Sequence, residues 1–294
     1  MNKPQKFGLS AALISPFHSD GTVDLARLVT HAQHVLANGC DSLTLFGTTG
    51  EGFSIGLQDR ALMLGAIAGS GIPLSEKVYA GVSATTIADA VGQASCALDL
   101  GAKGLLLAPP FYFKGVDDEG LYAWFSRVIE TLGDSARGII LYHIPGQTAV
   151  PLSVALVDRL KQAFPQVIAG VKDSSGDWSS TQAFLQAHGE LAILVGDERQ
   201  LARGMQNGAE GSICGLANFV PGILRSLIHQ GQDDARIVSL VELILQYPLL
   251  AAIKVLAGHQ HKDHAYDTIR PPLSGLSGQQ RIALTDAFDS IMTA

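Results

Sequence analysis

The sequence GIILY occupies residues 138–142, and VIAGVK occupies residues 167–172. Both runs are too short for a helix, and both are apolar over almost their whole length instead of alternating with polar residues. This composition is typical of parallel strands that are covered on both faces. Six further runs of the same kind predict a total of eight strands. The predicted strands are 8–14, 41–46, 77–82, 104–108, 138–142, 167–172, 191–195 and 211–214.

Amphipathic stretches with helical periodicity separate these runs, and several of them end at a glycine. Eight alternations of strand and helix predict an α/β protein with a closed (β/α)8 TIM barrel. Further helices, predicted at 235–247, 249–258 and 279–292, follow the last strand. We therefore expect a barrel over residues 1–230 and a helical C-terminal extension over residues 231–294 that packs on the barrel.

Composition excludes several classes of protein. Of the 294 residues, 47% are hydrophobic and 16% are charged, which argues against disorder. The 20 basic and 27 acidic residues give a net charge of −7, without the basic footprint of a nucleic-acid-binding protein. The three cysteines form no C-x-x-C pair, so zinc and redox motifs are absent. Neither a signal peptide nor a membrane-spanning run is evident, and we expect a cytoplasmic protein without membrane partners.

Lys172 ends the sixth predicted strand, at the end of a TIM barrel where active sites lie. Lysine is one of the residues least often buried. Burial among apolar residues favours the free amine, which attacks carbonyl carbon. The alternative is a lysine that extends to solvent or pairs with Asp173. Because successive strand residues point to opposite faces, we expect Asp173 to turn away from Lys172.

Three other features lie after predicted strands. Tyr142 ends the fifth strand, either as a proton relay beside the amine or as a buried aromatic with a satisfied hydroxyl. The GTTGEG loop at 47–52 offers backbone N–H groups to a carboxylate or phosphate, unless it is only a connector. Within it, Glu51 is interpreted as holding the loop by hydrogen bonds. Tyr112 lies between two phenylalanines, which predicts an exposed aromatic contact surface.

The histidines fall into two groups. His31 and His34 are one helical turn apart and are interpreted as residues on a helix surface. His259, His261 and His264 are interpreted as part of a polar loop after a helix. Metal binding is not favoured for either group, because no carboxylate motif completes a site. We therefore predict no metal site.

Taken together, the motifs resemble the dihydrodipicolinate synthase and N-acetylneuraminate lyase family. The resemblance rests on GTTGE at 47–51, on Tyr142 followed by Pro145, and on GVK at 170–172. Their order and separation match over nearly the whole chain. The resemblance implies a class I aldolase on a (β/α)8 barrel with a helical C-terminal extension. It also implies a homotetramer built as a dimer of dimers, with no metal or organic cofactor.

The resemblance further implies roles for individual residues. Lys172 is similar to the lysine that forms a Schiff base with pyruvate or another 2-oxo acid, and Tyr142 to its proton donor and acceptor. Thr48 corresponds to a hydroxyl relay, and Thr49 to the holder of the pyruvate carboxylate. Tyr112 corresponds to a relay tyrosine that reaches across a subunit interface. Two further positions, which line the substrate pocket in the family, are Gly196 and Ile213.

Gln147 departs from the family pattern. The dihydrodipicolinate synthases carry an arginine here, which grips the carboxylate of the second substrate, and glutamine cannot form that bidentate pair. We therefore expect a lyase that acts on pyruvate or a 2-keto-3-deoxy acid through an enamine on Lys172, with an aldehyde as second substrate. It is not expected to be a true dihydrodipicolinate synthase.

Three alternatives stay open. The first is a dehydratase or deaminating lyase that uses the same imine, and the second is a barrel that binds a 2-oxo acid without turnover. The third is a phosphate-binding isomerase, for which residues 208–217 make a poor phosphate loop.

Overall fold

The computed structural model describes residues 6–293. Eight parallel strands form a closed barrel in sequence order, which confirms the predicted TIM barrel. Each observed strand starts or ends within two residues of its predicted bounds. The strands are β1 Gly8–Ala12, β2 Ser42–Leu45, β3 Val78–Val82, β4 Gly104–Leu107, β5 Ile139–His143, β6 Ile168–Asp173, β7 Ala192–Val195 and β8 Gly211–Cys214.

Helices fill the connections between strands and continue beyond β8. Two short helices, Leu74–Lys77 and Pro145–Thr148, were not predicted, and a 3₁₀ turn over Glu198–Gln200 leads into the short helix after β7. The helices are α1 Leu25–Ala37, α2 Leu57–Gly69, α3 Leu74–Lys77, α4 Ile87–Asp99, α5 Asp118–Leu132, α6 Pro145–Thr148, α7 Val154–Ala163, α8 Trp178–Ala187, α9 Leu201–Gln206, α10 Pro221–Gln230, α11 Arg236–Ile244, α12 Leu249–His261 and α13 Gly278–Thr293.

Two apolar layers explain why the strands are apolar throughout. Leu141 and Val171 point outward into the layer between the strands and the helices. Their neighbours Ile140 and Tyr142 point inward, into a second cluster that fills the barrel with Ile213 and other side chains. Because the side chains of a strand alternate between its faces, both sets must be apolar. The alternation also directs Tyr142 and Lys172 to the interior.

Helices α11, α12 and α13 pack against one another after the barrel closes. Leu284 and Phe288 of α13 are buried, and the Phe288 ring lies 5.8 Å from that of Phe219. The division of the chain at residue 230 stays a prediction. No helix in residues 6–293 combines the length and apolar character needed to cross a bilayer. The first five residues, on which the expected lack of a signal peptide partly depends, lie outside the described residues.

The interpretation of three histidines was wrong. His259 and His261 belong to α12, which ends at His261, instead of lying in a loop. His31 is fully buried instead of lying on a surface. The end of α12 covers α1, so that His31 Nδ1 lies 2.9 Å from His261 Nε2. Its other ring nitrogen lies 3.0 Å from Asn218 Oδ1. A contact between helices so distant in sequence leaves no mark in the periodicity of α1.

Candidate active site

Lys172 and Tyr142 lie side by side at the carboxyl ends of β6 and β5, where the strand register pairs them. Lys172 Nζ donates a hydrogen bond of 3.2 Å to Tyr142 Oη and lies 4.4 Å from the centre of the tyrosine ring. Both residues are 5% exposed. The amine therefore faces the Tyr142 phenol inside the barrel.

Asp173 does not pair with Lys172. One oxygen of its carboxylate accepts a hydrogen bond from the backbone N–H of Ser175 at 2.9 Å, and the other accepts one from Thr181 Oγ1 at 2.8 Å. The carboxylate thus points to the outer side of the strand, as predicted. The ion-pair interpretation of Lys172 is wrong, because the only carboxylate next to it in sequence lies on the other face.

Thr48 extends the polar arrangement to a third hydroxyl group. Its Oγ1 lies 3.4 Å from Tyr142 Oη, at the outer limit of a hydrogen bond. Thr48, Tyr142 and Lys172 therefore form a continuous line of groups that can exchange protons. Thr49 lines the same cavity beside them.

The GTTGEG loop is packed too tightly to be a flexible connector. A Cβ atom on Gly52 would lie 1.9 Å from the carbonyl oxygen of Phe46. One on Gly50 would lie 2.5 Å from the carbonyl oxygen of Leu13. Backbone fills both positions, so only glycine fits. The glycines therefore allow the loop to fold against β1 and the end of β2.

Two residues of this region hold a backbone conformation that favours glycine. Phe46 has φ 60° and Glu51 has φ 55°. Such strain persists only where surrounding contacts enforce it. One such contact comes from the buried Arg60, whose guanidinium donates to the carbonyl oxygens of Gly52 and Gly81, each at 2.7 Å.

Glu51 provides a second contact, as the prediction of a loop-holding residue requires. Its buried carboxylate forms an ion pair with Lys254 of α12 and accepts a hydrogen bond of 3.0 Å from the backbone N–H of Arg270. Lys254 was not among the residues predicted from the sequence. A signal was present, because this lysine interrupts the apolar run LLAAIKVLAG at 249–258.

A cavity of about 350 Å³ opens at the carboxyl ends of the strands. It brings together seven of the eight predicted site residues, and Tyr112 does not line it. Tyr112 is 73% exposed with its ring against Phe113, as expected for an aromatic contact surface. The seven residues are Thr48, Thr49, Tyr142, Gln147, Lys172, Gly196 and Ile213.

The outer part of the cavity carries charged residues that were not predicted from the sequence. Arg199 pairs with Asp197, with Nη2 2.6 Å from Oδ2. Glu198 is buried, which raises the pKa of its carboxyl, and one of its oxygens accepts the N–H of Leu216 at 3.0 Å. Lys172 and Arg199 are the basic side chains among the described lining residues. Since Arg199 is paired, Lys172 is the basic side chain left to meet a substrate.

The opposite wall of the cavity is apolar and comes from the helices after the barrel. Its members belong to α11, α12 and the turn between them, and Gln147 lies exposed at the rim on α6. The apolar lining residues here are Val241, Ile244, Leu245, Leu249 and Ile253.

Fold and site together define a (β/α)8-barrel enzyme of the lyase class. The sequence profile described as the dihydrodipicolinate synthetase family matches residues 5–291. An uncharacterized DapA-like lyase of Chloroflexus aurantiacus is 33% identical, over 97% of each chain. The chain therefore belongs to the dihydrodipicolinate synthetase family.

Two crystal structures of relatives support this assignment. Dihydrodipicolinate synthase from Agrobacterium tumefaciens is 50% identical, with a TM-score of 0.94 over 97% of this chain and 99% of that one. Dihydrodipicolinate synthase from Acinetobacter baumannii, complexed with pyruvate, is 28% identical, with a TM-score of 0.85 over 98% of this chain and 99% of that one.

Proposed function

We propose that this enzyme forms a Schiff base between Lys172 and the ketone of pyruvate or a 2-keto-3-deoxy acid. The observation that carries the proposal is a buried amine at the barrel mouth whose partner is the phenol of Tyr142 instead of a carboxylate. An amine without an anionic partner is the more readily available nucleophile. The pyruvate complex of the Acinetobacter baumannii relative supports the choice of ligand.

The steps follow from the groups around Lys172. The amine nitrogen bonds to C2 of the 2-oxo acid. The ketone oxygen takes one proton from the amine and a second from the Tyr142 phenol, and it leaves as water. The resulting protonated imine draws electrons, so that transfer of a proton from C3 to the Tyr142 phenolate gives an enamine. The enamine carbon bonds to the carbonyl carbon of an aldehyde, whose oxygen takes the proton from Tyr142, and the reverse sequence cleaves that bond. The imine itself is the electron sink, so the scheme uses no metal or organic cofactor.

Thr48 and Thr49 supply the remaining functions in this scheme. Thr48 Oγ1 is close enough to Tyr142 Oη to pass protons to and from the phenol. Thr49 and the backbone N–H groups of its loop are placed in the cavity to bind the substrate carboxylate. Gly196 and Ile213 line the cavity in which the substrate carbon chain would lie.

Tyr112 is proposed to act in the active site of a second copy of the chain. Its exposed ring lies outside the cavity of its own chain, next to Phe113 and near the aromatic pair Phe53 and Phe111. We propose that this surface packs against another copy in a cytoplasmic homotetramer. Tyr112 would then complete the proton relay of the neighbouring subunit.

The second substrate is proposed to be an aldehyde without its own carboxylate. Gln147 is neutral, Arg199 is already paired, and an apolar wall faces them. A second candidate is the condensation of pyruvate with aspartate semialdehyde, favoured by the name of the 50% identical Agrobacterium tumefaciens relative. Dehydration or deamination through the same imine stays an alternative.

The experiment that tests the proposal is reduction of the enzyme with borohydride in the presence of pyruvate, followed by mass spectrometry. We expect a mass gain of one reduced pyruvate, located at Lys172 and absent in Lys172→Met. Lys103→Met is the matched control, because Lys103 lies over the Tyr79 ring at the opposite end of the barrel. An unmodified wild-type enzyme, or a gain that survives Lys172→Met, contradicts the Schiff base.

A further inference from the structure

We propose that Glu51 and Lys254 are positioning residues for the 2-oxo acid, which hold Thr48 and Thr49 in place from the C-terminal extension. The inference rests on the proposed function, since it concerns the loop that would bind the substrate carboxylate. By this proposal, the helices after the barrel support the substrate-binding loop and belong to the active site.

Both oxygens of the Glu51 carboxylate are bound by residues of the C-terminal extension. One oxygen pairs with Lys254 Nζ, and the other accepts the backbone N–H of Arg270 at 3.0 Å. Lys254 Nζ also donates to the carbonyl oxygen of Thr268. Both side chains of the pair are 0% exposed, and neither lines the cavity. The carboxylate is therefore bound by the extension and does not act on substrate.

The backbone of Glu51 has a strained conformation. Glu51 has φ 55°, and its N–H donates to the carbonyl oxygen of Thr48 at 3.0 Å. A residue with a side chain keeps this conformation only where its surroundings enforce it. The ion pair therefore holds the turn that directs Thr48 toward Tyr142. Without the pair, the turn can relax and the threonines lose their alignment.

Helix α12, which carries Lys254, also forms part of the cavity wall. Ile253, adjacent to Lys254, lines the cavity beside Gly215. Lys254 Nζ and the Arg270 guanidinium lie 4.4 Å and 4.3 Å from the ring centre of Phe17. The loop after β1, the GTTGEG loop and α12 thus meet at one buried cluster. A shift of α12 would be transmitted to both sides of the cavity.

Protonation of Lys254 provides a signature of the pair. Burial lowers the pKa of Lys254 to about 8, opposed by the facing carboxylates of Glu51 and Asp267 and reinforced by Arg270. Above that pH the lysine becomes neutral, and the Glu51 carboxylate loses its counterion. Binding of pyruvate should therefore weaken above about pH 8.

The test measures the pyruvate concentration that gives half of the maximal borohydride adduct, separately from the maximal adduct itself. The variants are Glu51→Gln, Lys254→Met and the double variant, which leaves no buried charge unpaired. Leu284→Ala is the matched control, because it removes a buried side chain of α13 outside the cluster. Each protein is also unfolded by heat to record its stability.

We expect the half-saturating pyruvate concentration to rise about tenfold in all three variants, the scale of one lost hydrogen-bonded contact. The maximal adduct should stay at the wild-type level, and the alkaline loss of binding should vanish in the double variant. Leu284→Ala should lower the melting temperature without changing pyruvate binding.

Pyruvate binding within about twofold of wild type in a folded double variant or in Glu51→Gln overturns the proposal. The proposal is also overturned if the half-saturating pyruvate concentration rises in step with the loss of melting temperature in every variant, including Leu284→Ala. That result indicates a structural role alone. If Lys254→Met does not fold, Glu51→Gln and the double variant decide. If wild-type enzyme forms no adduct, the proposed function fails first and this inference falls with it.

Discussion

Two buried lysines, Lys172 and Lys254, differ in the side chain that each one contacts. Lys172 of β6 is 5% exposed and Lys254 of α12 is 0% exposed, and the side-chain nitrogen of each lies 4.4 Å from the centre of an aromatic ring. Lys172 meets a phenol, whereas Lys254 meets the carboxylate of Glu51. The partner, and not burial, therefore separates a candidate nucleophile from a structural cation.

The largest expected effect is on the free energy of unfolding, which should fall much further when Lys254 is replaced than when Lys172 is replaced. Lys254→Met leaves the Glu51 carboxylate buried without a counterion, which should lower the free energy of unfolding by about 3–5 kcal/mol. Lys172→Met leaves only the Tyr142 phenol without its hydrogen-bond donor, for which we expect a loss of about 1 kcal/mol. Urea unfolding at pH 7 measures both.

The double variant Glu51→Gln with Lys254→Met is the internal control for that comparison. Because it removes both charges, most of the lost stability should return. Equal losses in Lys172→Met and Lys254→Met would break the distinction drawn between the two lysines.

A smaller effect concerns a third buried base, His31, which like Lys172 has no carboxylate partner. Burial lowers the pKa of His31 to about 3, with the nearby His34 and His261 acting in the same direction. The unfolded chain takes up this proton near pH 6.5, whereas the folded chain does not. Stability should therefore fall as the pH drops from 6.5 toward 3, by about 2 kcal/mol between pH 7 and pH 5.

His31→Gln should remove that part of the acid dependence in denaturant unfolding at both pH values. His264→Gln is the matched control, because the His264 side chain is 68% exposed. An unchanged acid dependence in His31→Gln would show that His31 does not carry the effect.

The smallest effect concerns the surroundings of Lys172. Gln147→Arg adds an unpaired cation at the cavity rim and should lower the KM for aspartate semialdehyde about tenfold, the scale of one charge-assisted hydrogen bond. The KM for a neutral aldehyde should not change. Gln206→Arg, on the exposed face of α9, controls for added charge. Brisk condensation of aspartate semialdehyde by wild-type enzyme would contradict the expected preference.

Much of the site could be predicted because it follows the strands. Lys172, Tyr142 and the GTTGEG loop each come directly after an apolar run, and parallel strands bring their carboxyl ends to one face. Asp173 was predicted to point away for the same local reason. The roles of these residues, the division at residue 230 and the position of Tyr112 in an assembly stay predictions.

The sequence by itself determined the barrel, because eight runs that are apolar on both faces have few other solutions than a parallel sheet enclosed by helices. It also singled out Lys172, because a lysine at a strand end is locally conspicuous. Only the tertiary structure decided the partner of each lysine. Glu51 and Lys254 are 203 residues apart, and neither predicts the other. Burial of His31 likewise depends on where α12 ends, since contacts between distant segments are fixed by packing and not by local pattern.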